Sequence, residues 1–259
     1  MPQSILDDRR FAGLARLYGV AGANRIRNAH VVVIGIGGVG SWTAEALARS
    51  GVSELTLIDL DHIADSNINR QIHALESTVG QAKVQAMAER ISQIQPECQV
   101  NQVDDFVSPE NWPALLPNTD RPISGVIDAC DQVKTKTALA AWARQSGLPF
   151  ISVGAAGGKR AAQGVEVADL SETTHDPLLA QVRYQLRKFH AAPRDKRLKI
   201  PCVFSREAVQ PPDASCQIEG AEDSGRDGSL NCAGYGSVVS VTATFGMVAA
   251  GWMLTQLSS

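Results

Sequence analysis

The chain lacks several things that would commit it to a class. None of its five cysteines, Cys98, Cys130, Cys202, Cys216 and Cys232, falls in a C-x-x-C pair, so a four-cysteine zinc site is not expected. The first ten residues, Met-Pro-Gln-Ser-Ile-Leu-Asp-Asp-Arg-Arg, hold no apolar signal core. Together these point to a cytoplasmic protein whose thiols stay reduced. With a formal net charge of −3 the chain is no polycation, so nucleic acid could bind only at a local basic face. There is no internal repeat and no clear linker. One charge-free run, 237–254, approaches the length of a membrane span. Its Ser240, Thr242, Thr244, glycines and alanines favour a helix buried in the protein or at a subunit interface over membrane association.

What is present is 259 residues, 44% of them hydrophobic, enough to bury a substantial core. The run 30–34 is short, continuous and β-branched, as a buried parallel strand should be. Strand patterns at 55–59, 98–103, 125–128 and 150–153 alternate with helical ones at 42–50, 81–94 and 134–146, and an arginine-rich, partly helical stretch covers 7–28. The alternation predicts an α/β protein: a Rossmann-like, mostly parallel sheet with helices on both faces. After Gly154 the texture changes. Gly157-Gly158 and 163–170 suggest a turn into an antiparallel or edge strand, and Asp176-Pro177 opens a helix reaching about His190. The expectation is one domain over 1–259, with a nucleotide-binding core at about 28–155. A C-terminal antiparallel elaboration would follow at about 156–259, with a mobile loop at 210–230.

Four signals between Gly35 and Asp131 carry the chemistry. Gly35, Gly37, Gly38 and Gly40 lie between a strand and a helix, where a glycine turn lets backbone N–H groups and a helix N-terminus approach phosphate. Asp59, 19 residues after Gly40, can accept both hydroxyls of a ribose. These two fit NAD, FAD and ATP alike. The third, Ser66-Asn-Ile-Asn-Arg-Gln71, discriminates: Arg70 follows the amides of Asn67 and Asn69, and Lys83 comes 13 residues later. An arginine can grip phosphate with paired hydrogen bonds and a lysine adds a point charge, which together stabilise departing pyrophosphate. A hydride carrier needs neither. Asp131, just past the buried run 126–130, sits where open α/β sheets bind ligands and is a natural Mg²⁺ ligand beside a triphosphate. Asp128 reads as structural, Asp61 as a turn or cap residue, and His73 as packed. Arg70, Lys83 and Asp131 are therefore the candidate catalytic groups. A nucleotide-sensing scaffold or an NAD oxidoreductase explains Arg70 and Lys83 poorly.

This order of motifs resembles the ubiquitin-activating-enzyme-like superfamily, which includes the molybdopterin and thiamine adenylyltransferases. The resemblance implies ATP binding and activation of a carboxylate as an acyl-adenylate. It places Asp59 on the ribose, Asn67, Asn69, Arg70 and Lys83 around the phosphates, and Asp131 at the metal. The segments 10–19, 35–42, 69–75, 202–207 and 242–246 resemble more closely the dehydratases of threonylcarbamoyladenosine in tRNA. That branch implies ATP-dependent cyclisation on a tRNA base, by a ligase-type tRNA-modifying enzyme with no stable DNA binding. Zinc-binding cysteine pairs common in the superfamily are missing. The family's partner-subunit arginine aligns with Gly13, which leaves Arg10 or Arg16 to serve across a homodimer. Cys232 lies in the region where sulfur-transferring relatives use a thiol, so a sulfur-transfer partner is open. The alternative reading is an adenylyltransferase for a sulfur-carrier protein. The basic stretch 183–199, with Arg183, Arg187, Lys188 and Arg197, becomes the expected tRNA contact.

Overall fold

In the computed structural model, which describes residues 8–213 and 235–259, a seven-stranded sheet forms the centre of the protein. Of the stretch 210–230, residues 214–230 lie outside the described residues, and so does Cys232. The strands are β1 (His30–Ile34), β2 (Glu54–Ile58), β3 (Gln99–Val103), β4 (Gly125–Asp128), β5 (Phe150–Val153), β6 (Val165–Asp169) and β7 (Pro201–Ser205), ordered β3-β2-β1-β4-β5-β7-β6. All neighbours pair in parallel except β6 and β7. The antiparallel part of the C-terminal region is thus one edge strand. β7, which hydrophobic patterning did not reveal, returns in parallel beside β5.

Alternation along the strands splits the apolar residues into two cores, as the period of two requires. Val31, Val33, Leu55, Leu57 and Ile127 face one side, where α1 (Ala12–Arg27), α2 (Gly40–Arg49), α3 (Lys83–Ile94) and α6 (Val239–Ser258) cover the sheet. Val32, Ile34, Ile58, Val126 and Phe150 face the other, covered by α4 (Val133–Ser146) and α5 (Pro177–Phe189). Gly19, at φ +72°, interrupts α1, which accounts for the partly helical pattern at 7–28. The charge-free C-terminal run is α6, whose Val241, Phe245, Ala249 and Met253 are buried in the first core. Among the described residues, no helix is long and apolar enough to cross a membrane.

The sheet order reverses between β1 and β4, and the chain leaves both strands at their carboxyl ends side by side. Such a switch point opens a crevice for ligand. Here it is set by two close contacts. Gly35 turns out of β1 at φ +82°, and a Cβ there would stand 2.9 Å from the Ala129 carbonyl oxygen. At Gly40 a Cβ would meet the Gly35 carbonyl at 1.7 Å, so neither position admits a side chain without opening the turn.

Candidate active site

The crevice is a cleft of about 900 Å³ whose wall brings together Gly35, Gly37, Gly38, Asp59, Asn67, Asn69, Arg70, Lys83 and Asp131. Gly40 stands one step behind, as the first residue of α2. Four signals spread over a hundred residues of chain therefore meet in one place.

Asp59 directly follows β2, beneath the glycine turn. Its Oδ2 accepts from the Ile36 N–H at 2.5 Å and its Oδ1 from the Asp61 N–H at 2.9 Å. Burial pushes its pKa above the ordinary carboxylate value, and Lys83 and the two N–H groups pull against that. Lys83 enters from the first turn of α3, nearly buried, and its Nζ donates to Asp61 Oδ2 at 2.6 Å while standing 3.9 Å from Asp59 Oδ1. Asp61 is the acid that neutralises Lys83, beyond the turn role its position suggested. Its carboxylate is 73% exposed, so an incoming phosphate competes for Lys83 against a partner that water readily takes back.

Arg70 lies across the glycine loop, with a Cβ at Gly38 falling 3.3 Å from its Cγ. Its Nη1 donates to the Ser66 carbonyl and, at 2.9 Å, to Asn69 Oδ1. Its own carbonyl accepts from Trp42 Nε1 at 3.0 Å. Partial burial lowers its pKa from the usual arginine value, which leaves the guanidinium a strong cation. The two asparagines act here on the protein itself. Asn67 Oδ1 accepts from the Ala64 N–H at 3.1 Å and caps the short 3-10 turn that carries the motif. Asn69 holds Arg70 with its oxygen and donates from Nδ2 to the Ser237 carbonyl at 3.0 Å, tying the loop to the entry of α6. Gln71 Oε1, buried in the same wall, has no hydrogen-bond partner among the described residues.

Asp131 follows β4 and lines the same cleft. Burial raises its pKa, with Lys136 as the main opposing influence. Below it lies a group that residue spacing did not disclose: Lys136, wholly buried, donates from Nζ to Asp128 Oδ2 at 2.8 Å, to the Asp128 carbonyl at 3.3 Å and to Ser152 Oγ at 3.2 Å. Asp128 also accepts from Ser152 Oγ at 2.7 Å and from the Cys130 N–H at 3.3 Å. Asp128 is structural, as its place in the strand implied. Burial carries the Cys130 thiol well above its ordinary pKa, so Cys130 is no nucleophile at neutral pH. His73 is buried outside the cleft; desolvation, then Lys83 and Arg90, lower its pKa to about 4.

Outside the cleft, Arg10 pairs with Asp8 at 3.0 Å and Glu97 at 3.2 Å, whereas Arg16 is exposed on α1. In the basic stretch, Arg183 donates to the Leu170 and Thr173 carbonyls, Arg187 to those of Pro193 and Arg194, and Arg197 pairs with Glu172. These three guanidiniums are engaged within the fold, while Lys188 is exposed. Among the described residues, no cluster of three or more histidine, cysteine, aspartate or glutamate side chains is placed to hold a metal ion, and Cys98, Cys130 and Cys202 are unpaired thiols.

A Mg²⁺ ion that accompanies a triphosphate takes one or two carboxylates and completes its shell with phosphate oxygens and water. Asp131, a carboxylate lining the same cleft as Arg70 and Lys83, fits that demand.

Comparison with known proteins gives one family. The ThiF family model matches residues 9–259. The chain is 45% identical over 254 residues to a tRNA threonylcarbamoyladenosine dehydratase of Haemophilus influenzae, covering 96% of this chain and 94% of that one. It superposes with a TM-score of 0.84 on the Escherichia coli tRNA N6-threonylcarbamoyladenosine dehydratase in complex with ATP, at 43% identity and covering 96% and 93% of the two chains. The same score holds for the AMP complex of that enzyme, at 42% identity and covering 97% and 96%.

Proposed function

The chain belongs to the ThiF family, and from that premise we propose that it is an ATP-dependent tRNA threonylcarbamoyladenosine dehydratase. It activates the threonyl carboxylate on the modified base and closes it into a ring. The observation that carries this reading is the meeting of Arg70 and Lys83 with the glycine loop and Asp131 in one cleft. It is supported by relatives of that name that match over nearly their whole length.

The chemistry follows from the groups present. Water is a poor leaving group from a carboxylate. A carboxylate oxygen of the substrate bonds to the α-phosphorus of ATP as the bond to pyrophosphate breaks, giving an acyl-adenylate. A neighbouring carbamoyl atom of the same nucleoside then attacks that carbonyl and loses its proton, and AMP departs with the carboxylate oxygen. Ring closure is fast because both reacting groups already sit on one base. Asp59 holds the ribose. The glycine loop and the N-terminus of α2 face the phosphates. Arg70 and Lys83 take up the charge that grows on departing pyrophosphate. Asn67 and Asn69 hold the loop that aims Arg70. Asp131 would hold Mg²⁺, which supplies charge neutralisation at the phosphates.

We infer a homodimer in which Arg16, flanked on α1 by the exposed apolar side chains of Leu17 and Val20, reaches the partner's site; the ion pairs of Arg10 leave it less suited. The unpaired thiols of Cys98, Cys130 and Cys202 support a cytoplasmic location.

The test is the acceptor dependence of ATP cleavage. With Mg²⁺, AMP and pyrophosphate should form when tRNA bearing threonylcarbamoyladenosine is added, and not with unmodified tRNA. AMP formation driven instead by a small carrier protein with a Gly-Gly tail would overturn the reading in favour of a sulfur-carrier adenylyltransferase. Release of ADP in place of AMP would overturn the adenylate step.

A further inference from the structure

Helix α5 starts in the cleft wall, where Leu178 lines the cavity, and runs outwards. At 1.5 Å per residue, Tyr184 lies roughly 9 Å and Phe189 roughly 16 Å further along its axis. The inner side of α5 is accounted for by Leu178, Leu179, Val182 and Leu186, all buried. Two aromatic rings of the helix stand largely in solvent, Tyr184 on the side away from the core at 54% exposure and Phe189, its last residue, at 64%. Lys188 places its Nζ 5.6 Å from the first ring centroid and 4.9 Å from the second. More than half of each of these residues stays in water, so they give the fold less than buried aromatics would.

The charge around them is of one sign. The stretch 183–199 holds seven cations against the single acid Asp195, in a chain whose net charge is −3. Arg183, Arg187 and Arg197 are spent on carbonyls and on Glu172. Lys188, beside the rings, remains exposed, and so do Arg194, Lys196 and Lys199 further along the stretch. Aromatic faces set among lysines are the composition of a platform for unpaired bases: the rings stack on bases of any sequence, while the cations follow the phosphates. A neutral or basic protein surface would gain as much from the rings but nothing from the positive charge.

We propose that Tyr184, Lys188 and Phe189, gathered around the Lys188 ammonium in the last two turns of α5, form a stacking platform for unpaired bases of the RNA substrate, next to the nucleotide that enters the cleft. The proposal rests on the tRNA reading above and adds the surface that holds the acceptor. Lys188 leaves the rings for a phosphate as bases take its place.

The test measures binding of a fluorescein-labelled anticodon stem-loop RNA to the full-length protein by anisotropy across a salt series. The double variant Y184A/F189A should weaken binding at least roughly tenfold, with the slope of log affinity against log salt unchanged. K188A should instead flatten that slope by about 0.7, one phosphate contact on a single strand. Both variants should keep the parent's melting temperature and ATP affinity, because the three side chains are exposed. Unchanged RNA affinity in Y184A/F189A, with the parent binding RNA, would overturn the platform and leave the tRNA reading intact. Absence of RNA binding by the parent would overturn the tRNA reading itself. A change of the double variant from dimer to monomer in sedimentation, at unaltered RNA affinity, would assign the rings to a protein interface and likewise overturn the proposal.

Discussion

Replacing Lys136 by methionine tests how the floor of the cleft is built. The ammonium is fully buried and makes three contacts, to Asp128 Oδ2, the Asp128 carbonyl and Ser152 Oγ. Burial works against its charged form, but Asp128 outweighs this and leaves the lysine pKa above its ordinary value. Methionine keeps an unbranched, flexible side chain one atom shorter and removes the charge. Asp128 then retains only neutral donors, Ser152 Oγ and the Cys130 N–H and thiol, for a carboxylate with no access to water. Removing one partner of a buried pair costs about 3–5 kcal/mol. In a protein of this size that lowers the melting temperature by roughly 6–20 °C. The pair itself is a different matter, since an uncharged replacement of both partners is often nearly neutral. The variant D128N/K136M should therefore regain most of the loss. Urea unfolding followed by circular dichroism at pH 7 measures all three proteins. A loss below about 1 kcal/mol in K136M, or a double variant as unstable as the single, would refute the reasoning.

The same physical picture sets two further expectations. R70A and K83M should each lower kcat for tRNA-dependent AMP formation by at least roughly 10²-fold, with folding intact by circular dichroism; near-parental turnover in either would remove that residue from the charge-stabilising set. His73 is held neutral by burial, with a pKa of about 4 against an ordinary 6.5. Its folded pKa is the lower one, so the unfolded chain binds the proton first, and stability is full above pH 6.5 and falls as pH drops towards 4. The full loss is about 3 kcal/mol. H73L should flatten the urea midpoint across that window, and an unaltered acid slope would assign the pH dependence elsewhere.

Much of the fold is legible in local pattern. A continuous β-branched run marked β1, and short runs rich in valine and isoleucine marked β4 and β5, because strands buried on both faces need not alternate. Asp59, Arg70, Lys83 and Asp131 were legible as one set because the chain brings them to a switch point in sequence order. Other features depend on contacts that spacing does not encode. The parallel return of β7 beside β5 is a long-range pairing with no turn signal. Lys136 reads as an ordinary exposed lysine on an amphipathic helix; only the turn from β4 into α4 carries it over Asp128. The basic stretch reads as uniform charge, yet neighbouring loops draw Arg183 and Arg187 onto carbonyls. In α6 the absence of charge reflects packing against α1, α2 and the sheet, where every face but a narrow outer one meets protein.

Digestion and mass measurement of the nucleosides from tRNA bearing threonylcarbamoyladenosine, after incubation with ATP, Mg²⁺ and the protein, is the most direct measurement of what the cleft does. A nucleoside lighter by one water is expected with the parent protein, and its near-absence with R70A. Unchanged nucleoside under conditions where the parent protein cleaves ATP would contradict that expectation.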